Sequence, residues 1–278
     1  MKSEKETPKH EGHFIRTLNY LKEHYTDDAR LDRIAEEAGL SPWHWHRIYR
    51  SLMCETMHET VKRRRLYRAA RLIAYSDKPF ADIARECGYN NAQSFARSFR
   101  KAYGMLPQQY RDHRVSYSHP VSIEQRAAVP VAMLAHPGDC QQIGDSFDHL
   151  AALLCLRGAP LLQRAFSIHE VQNPEDGEKY VATSITGASP SEPLALADIR
   201  ANYLCESLTA GEIAAGRYAV LHYRGTYVDL DRVFVWFMEE WFPGQGLQIA
   251  SDRAIVIEYL FDLDCAQRRA EICLPLVE

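Results

Sequence analysis

Residues 35–50 read A-E-E-A-G-L-S-P-W-H-W-H-R-I-Y-R, and residues 84–100 read A-R-E-C-G-Y-N-N-A-Q-S-F-A-R-S-F-R. Ala35 and Ala84 lie 49 positions apart, as do Gly39 and Gly88. Past the turn the offset becomes 50, setting Trp45-His46-Arg47-Ile48-Tyr49-Arg50 on Phe95-Ala96-Arg97-Ser98-Phe99-Arg100. In the first copy Leu31, Ile34, Ala35 and Ala38 recur at helical spacing. Gly39 then stops the helix, and Ser41-Pro42 supply an N-cap and a first turn. In the second copy Ala81, Ile83, Ala84 and Cys87 precede Gly88-Tyr89-Asn90-Asn91, and an amphipathic helix follows towards Tyr103. Each copy reads as helix, tight turn, helix. Between them, His58 to Tyr75 carries Val61, Leu66, Ala69, Leu72 and Ile73 on one face, as a connecting helix would.

These paired turns, with R-L-Y-R-A-A-R-L-I (Arg65 to Ile73) and F-A-R-S-F-R-K-A-Y-G-M-L-P-Q-Q-Y-R (Phe95 to Arg111), resemble the AraC/XylS family of regulators. G-L-S-P-W-H-W-H-R-I-Y (Gly39 to Tyr49) is most similar to its Rob and MarA branch, although His46 and Ala92 depart from that branch's usual glutamines. The resemblance implies a sequence-specific transcription regulator of double-stranded DNA. Two recognition helices on one face can enter major-groove segments about one helical turn, roughly 34 Å, apart. Arg forks onto guanine and Gln onto adenine, so Arg47, Gln93 and Arg97 are the candidate base readers, flanked by Trp43, His46 and Ser94. Trp45, Tyr49, Phe95 and Phe99 align between the copies as core positions. Lys62 and Arg63, with Arg64, Arg68 and Arg71, serve either as phosphate contacts or as a solvated basic face.

Charge is distributed in the same sense. Up to His119 there are 22 Lys and Arg against 15 Asp and Glu, and after it 11 against 22, so a net +7 is followed by a net −11. A polyanion is attracted by the first part and repelled by the second. With 278 residues, 46% hydrophobic and 25% charged, the chain suits two globular domains, and no apolar run reaches membrane-spanning length. Met1 to Glu11 lacks a secretory signal's apolar core. Seven scattered cysteines form no C-x-x-C pair, so the expected compartment is the cytoplasm, with no metal, no cofactor and no membrane partner.

Apolar periodicity stops between Tyr110 and Pro120, a linker between an all-α domain over 1–115 and a second domain over 120–278. The second domain repeats as well. Ala132–Leu154 aligns with Ala219–Trp241 at an offset of 87, pairing Gly138 with Gly225 and Phe147 with Phe234. Each copy reads as strand, Gly turn and amphipathic helix, followed by strand-like segments: Ala165–Val171 and Tyr180–Thr186, then Ala254–Phe261 and Ala270–Leu276. The pattern is α+β, two tandem repeats sharing one sheet with a groove at the pseudo-twofold axis.

G-R-Y-A-V-L-H-Y-R-G-T-Y (Gly216 to Tyr227), W-F-P (Trp241 to Pro243), I-E-Y-L (Ile257 to Leu260) and E-I-C-L-P-L (Glu271 to Leu276) resemble GyrI-like effector-binding domains. That resemblance implies a small-molecule effector, amphipathic or cationic, held in an aromatic-lined groove against a glutamate that falls at Glu258. Independently, Ile255, Ile257 and Tyr259 mark one face of a strand, while Val256 and Leu260 flank Glu258 on the other. A carboxylate there needs a partner: a ligand, an Arg or backbone amides. Tyr223, Tyr227, Trp236, Trp241 and Tyr259 are the candidate walls, by cation–π contact. No H-E-x-x-H, G-x-S-x-G, P-loop or dinucleotide fingerprint occurs, so no enzyme is expected. Two alternatives stay open: a small-molecule hydrolase using Glu258 as general base, or a protein-interaction module, with RNA polymerase as one possible partner.

Overall fold

A computed structural model describes residues 11–27, 41–53, 55–113, 117–136, 143–156, 164–169, 181–186, 197, 200, 208–260 and 268–278. The chain divides into two compact units, Met1–Arg114 and Val115–Glu278.

The described part of the first unit is helical: α1 (Glu11–His24), α2 (Pro42–Met53), α3 (Met57–Tyr75), α4 (Phe80–Glu86), α5 (Ala92–Tyr103) and α6 (Pro107–Asp112). The expected helix from Leu31 to Ala38 and its stop at Gly39 lie outside the described residues. Helices α2 and α5 begin alike. Ser41 Oγ accepts from the His44 amide at 3.3 Å and Asn91 Oδ1 from the Ser94 amide at 2.8 Å, each satisfying a donor that the first helical turn leaves without a partner. Helix α3 opens on a capping box in which Thr56 and Glu59 bond each other's amides. Buried Trp45 and Tyr49 pack on Phe14, with ring centroids 5.9 and 5.4 Å apart. Buried Phe95 and Phe99 pack on Tyr89 and Tyr110. Each such side chain contributes about 1.5–3 kcal/mol by leaving water. The turn between α4 and α5 is set by Gly88 at φ +74°. Arg65 of α3 holds it, donating to the carbonyls of Tyr25, Asp27 and Gly88.

The second unit builds one antiparallel sheet. In sequence order its strands are β1 (Val121–Arg126), β2 (Val129–His136), β3 (Arg164–His169), β4 (Val181–Thr186), β5 (Thr209–Ile213), β6 (Gly216–Gly225), β7 (Ile255–Leu260) and β8 (Arg268–Pro275). In space they run β1-β6-β8-β7-β3-β4-β2-β5. Helix α7 (Ile143–Leu156) follows β2. Helix α8 (Leu230–Trp236) follows β6 and continues through a π-helical turn at Phe237–Trp241. The two repeats are therefore β2-α7-β3-β4 and β6-α8-β7-β8, meeting where β3 pairs with β7. Strands β1 and β5 were not expected, and they are exchanged: β1 runs into β2 along the chain but pairs with β6, while β5 runs into β6 but pairs with β2.

Both described helices cover one face. Phe147 of α7 meets Tyr259 at 5.2 Å, and Val233 and Phe237 pack with Leu221, Ile257 and Ile272. The opposite face carries a second apolar cluster of Val131, Phe166, Ile168, Tyr218, Val220, Val256 and Cys273.

Candidate functional site

The two recognition helices present the same exposure pattern at the 50-residue offset. Trp45 and Tyr49 are buried, as are Phe95 and Phe99, so the helical period turns Trp43, Arg47 and Arg50 outward on α2, and Gln93, Arg97 and Arg100 on α5. Trp43 is 68% exposed, an unusual position for an indole, and the Arg47 guanidinium lies 4.9 Å from its ring centroid. That cation–π contact limits the rotamers of Arg47 before it meets a ligand. Ser94 is half-buried and donates to the Asn91 carbonyl, which makes it part of the cap. Half-buried His46 stacks on His58 of α3 at 6.2 Å. Within α3 the basic residues separate by role. Lys62 and Arg68 are exposed, Arg64 is buried, and Arg63 is held by Glu55 at 2.7 Å. Arg63 thus carries its own counter-ion.

The sheet separates the expected ligand-binding residues. Neighbours in a strand point to opposite faces, so Tyr259 lies under the helices with Tyr223, Tyr227, Trp236 and Trp241, while Glu258 lies on the other side. Among the described residues the aromatics and the Glu258 carboxylate therefore lie on opposite faces of the sheet. The aromatics pack instead. Tyr227 meets Tyr259 edge-on at 5.1 Å, and Trp241 packs on Phe237. Two of them also hold the segment entering β1: Tyr117 stacks on Trp236 at 5.9 Å and His119 meets Tyr223 at 5.1 Å.

Glu258, 2% exposed, instead sits in a network that sequence reasoning did not find. In register it has Phe166 on one side and Glu271 on the other. Two carboxylates directly opposite repel, and Arg126 compensates them. Its guanidinium lies 3.4 Å from Glu258, 2.9 Å from Glu124 and 2.5 Å from Glu271. His222 approaches Glu271 at 3.1 Å and Glu124 at 3.3 Å, and Ser122 bonds both Glu124 and His222. Burial works against the charge on Arg126, but Cys273 and the Glu271 and Glu124 carboxylates outweigh it and hold its pKa above the usual value. Arg126 also reaches Cys273 Sγ at 3.4 Å, and burial pushes that thiol up to about 12. The visible signal was alternation: Ser122, Glu124 and Arg126 occupy every second position of β1, and His222 and Glu271 interrupt apolar strands. Among the described residues, no group of three His, Cys, Asp or Glu is placed to hold a metal.

Residues 119–277 match the model of the GyrI-like small molecule binding domain, and residues 34–113 match a helix-turn-helix domain. The chain is 34% identical over 102 residues to the regulatory protein SoxS of Salmonella typhimurium, covering 36% of this chain and 94% of SoxS. The chain belongs to the AraC family and carries a GyrI-like domain. Other relatives of this AraC-type regulator match its helical unit. The HTH-type transcriptional activator AarP of Providencia stuartii is 29% identical over 111 residues, 40% of this chain and 82% of AarP. The regulatory protein PocR of Salmonella typhimurium is 32% identical over 114 residues, 41% of this chain but only 38% of PocR. The regulator is thus an AraC-type DNA-binding protein with a small-molecule binding domain that follows the helix-turn-helix domain in sequence. No helix among the described residues is long and apolar enough to cross a membrane.

Proposed function

We propose that this cytoplasmic regulator reads double-stranded DNA through α2 and α5, with Arg47, Gln93 and Arg97 on base edges and Trp43, His46 and Ser94 beside them. Lys62 contacts phosphate, and Arg63 supports that surface through Glu55. Residues 1–115 form the DNA-binding domain and 120–278 the sensor. The small molecule is held against the sheet face around Glu258, where Phe166, Ile168, Val256 and Cys273 are buried and Arg126 is partly exposed. One observation carries this choice. A core built for stability gains little by burying a charge that an apolar residue could replace, and here the Glu258 carboxylate, 3% exposed, sits among Phe, Ile and Val, with the partly exposed Arg126 linking it to Glu124 and Glu271. Transmission to RNA polymerase follows DNA binding. The domain acts by binding and not by turnover, since Glu258 as a general base would first have to shed the Arg126 guanidinium.

The DNA half is tested by titrating operator fragments selected by the purified protein. Arg47→Ala and Arg97→Ala should each weaken specific binding by about 1–3 kcal/mol and relax one base preference, the usual cost of a lost bidentate contact. Lys62→Ala should weaken all sequences alike and reduce the salt slope by about one. Full affinity and selectivity in both Arg variants would show that these are not the reading faces.

A further inference from the structure

Within the face proposed above to hold the small molecule, the carboxylates are not equivalent. The side chains of Glu124 and Glu271 are 33% and 20% exposed and both approach His222, whereas that of Glu258 is 3% exposed and faces Phe166 in register. The excess negative charge therefore lies at the wetter end of the network, by His222. At the dry end, the charge of Glu258 is met by the Arg126 guanidinium at 3.4 Å. Arg126 is carried by β1, which pairs with β6 along all six of its residues, so its guanidinium is held on the sheet. A tethered group competes at the high effective concentration of an intramolecular partner. A ligand cation would have to displace it, and displacing one partner of a buried ion pair leaves the other to be compensated. A ligand anion fares no better, because Glu124 and Glu271 surround the same guanidinium.

We propose that Arg126 is the specificity-determining residue of this site: its guanidinium is the resident counter-ion of Glu258, so the site takes neutral aromatic or aliphatic molecules and discriminates against lipophilic cations. The apolar wall of Phe166, Ile168, Val131, Val220 and Val256 supplies the affinity. The charge network sets the selectivity. This assignment rests on the choice of sheet face made above, and the two can fail separately.

The test is fluorescence titration of the full chain with two probes of one shape, 10-methylacridinium and acridine, at a pH where acridine is neutral. The wild type should bind acridine at least as tightly as the cation. Arg126→Met removes the resident charge and keeps the stem, and it should raise affinity for 10-methylacridinium tenfold or more with acridine changed less than threefold. Glu258→Gln in that background should abolish the gain. A wild type that prefers the cation tenfold, or an Arg126→Met variant with an unaltered ratio of affinities, overturns the role of Arg126 while leaving the site in place. The wild-type comparison decides by itself if the variant does not fold. Binding of neither probe by the wild type or a folded variant removes the site and the proposal together.

Discussion

Gly88 and Gly104 share a left-handed backbone, at φ +74° and +75°, but not their surroundings. A β-carbon on Gly88 would stand 2.2 Å from the Thr26 carbonyl oxygen and 2.8 Å from the Arg65 guanidinium carbon, whereas one on Gly104 meets nothing within 4 Å. For both, an L-residue costs about 1–2 kcal/mol in backbone strain. Gly88→Ala must also displace the Thr26 carbonyl and Arg65, weakening bonds that a charged donor makes to three carbonyls, each of about 1.5–3 kcal/mol. Losing one of them brings the total to roughly 2.5–5 kcal/mol for Gly88→Ala, against about 1–2 kcal/mol for Gly104→Ala. In a unit of this size each kcal/mol lowers the midpoint by about 4–8 °C, so the first variant should melt about 10 °C or more below the wild type. Thermal unfolding of the full chain by far-UV circular dichroism measures both. DNA titration should show the same order, because α5 starts at the turn that Gly88 forms. Equal destabilisation of the two variants, to within about 0.5 kcal/mol, would refute the clamp and leave backbone strain as the whole effect.

A fragment from residue 118 to 278 should unfold cooperatively by itself, since the sheet pairs its strands with one another and both apolar clusters lie inside it; a soluble fragment with no cooperative transition would count against the 120–278 boundary. Burial pushes the thiols of Cys87 and Cys273 up to about 11 and 12, so both stay protonated near pH 8 and should escape iodoacetamide until the chain unfolds. Mass spectrometry of the native protein reads this directly, and labelling at the rate of a free cysteine would show that these positions open.

The first unit was legible because its signals are local. Helical periodicity separates Trp45 and Tyr49 from Trp43 and Arg47 whatever the rest of the chain does, and the 50-residue offset repeats the separation at Phe95, Phe99, Gln93 and Arg97. Glu258 was legible as a carboxylate in an apolar strand that had to find a partner. Arg126 was not, because their approach depends on a strand pairing that no local pattern announces. Strand β5, T-A-G-E-I, has too little apolar character to be seen at all. The aromatics from Tyr223 to Trp241 show the opposite case, a local cluster whose sheet face depends on the fold. They cluster in sequence, but alternation along β6 and the turn of α8 send them under the helices, where packing and the anchoring of Tyr117 and His119 account for them. Arg63 and Lys62 are adjacent in sequence and alike in charge, yet Glu55, eight residues before Arg63, sets them apart.

The exchanged strands also put the two units on different schedules during synthesis. The helical unit ends at Arg114, but Val121 finds its partner only at Leu221, a hundred residues later, and β6 in turn pairs with β8, whose residues Arg268–Pro275 are made later still. While the ribosome is still making the second repeat, a DNA-binding unit can already be folded ahead of a sensor that cannot close. Loop-closure entropy and non-local pairing make that closure the slow step. A message truncated between the repeats would therefore yield not half a sensor but none, attached to recognition helices that still fold.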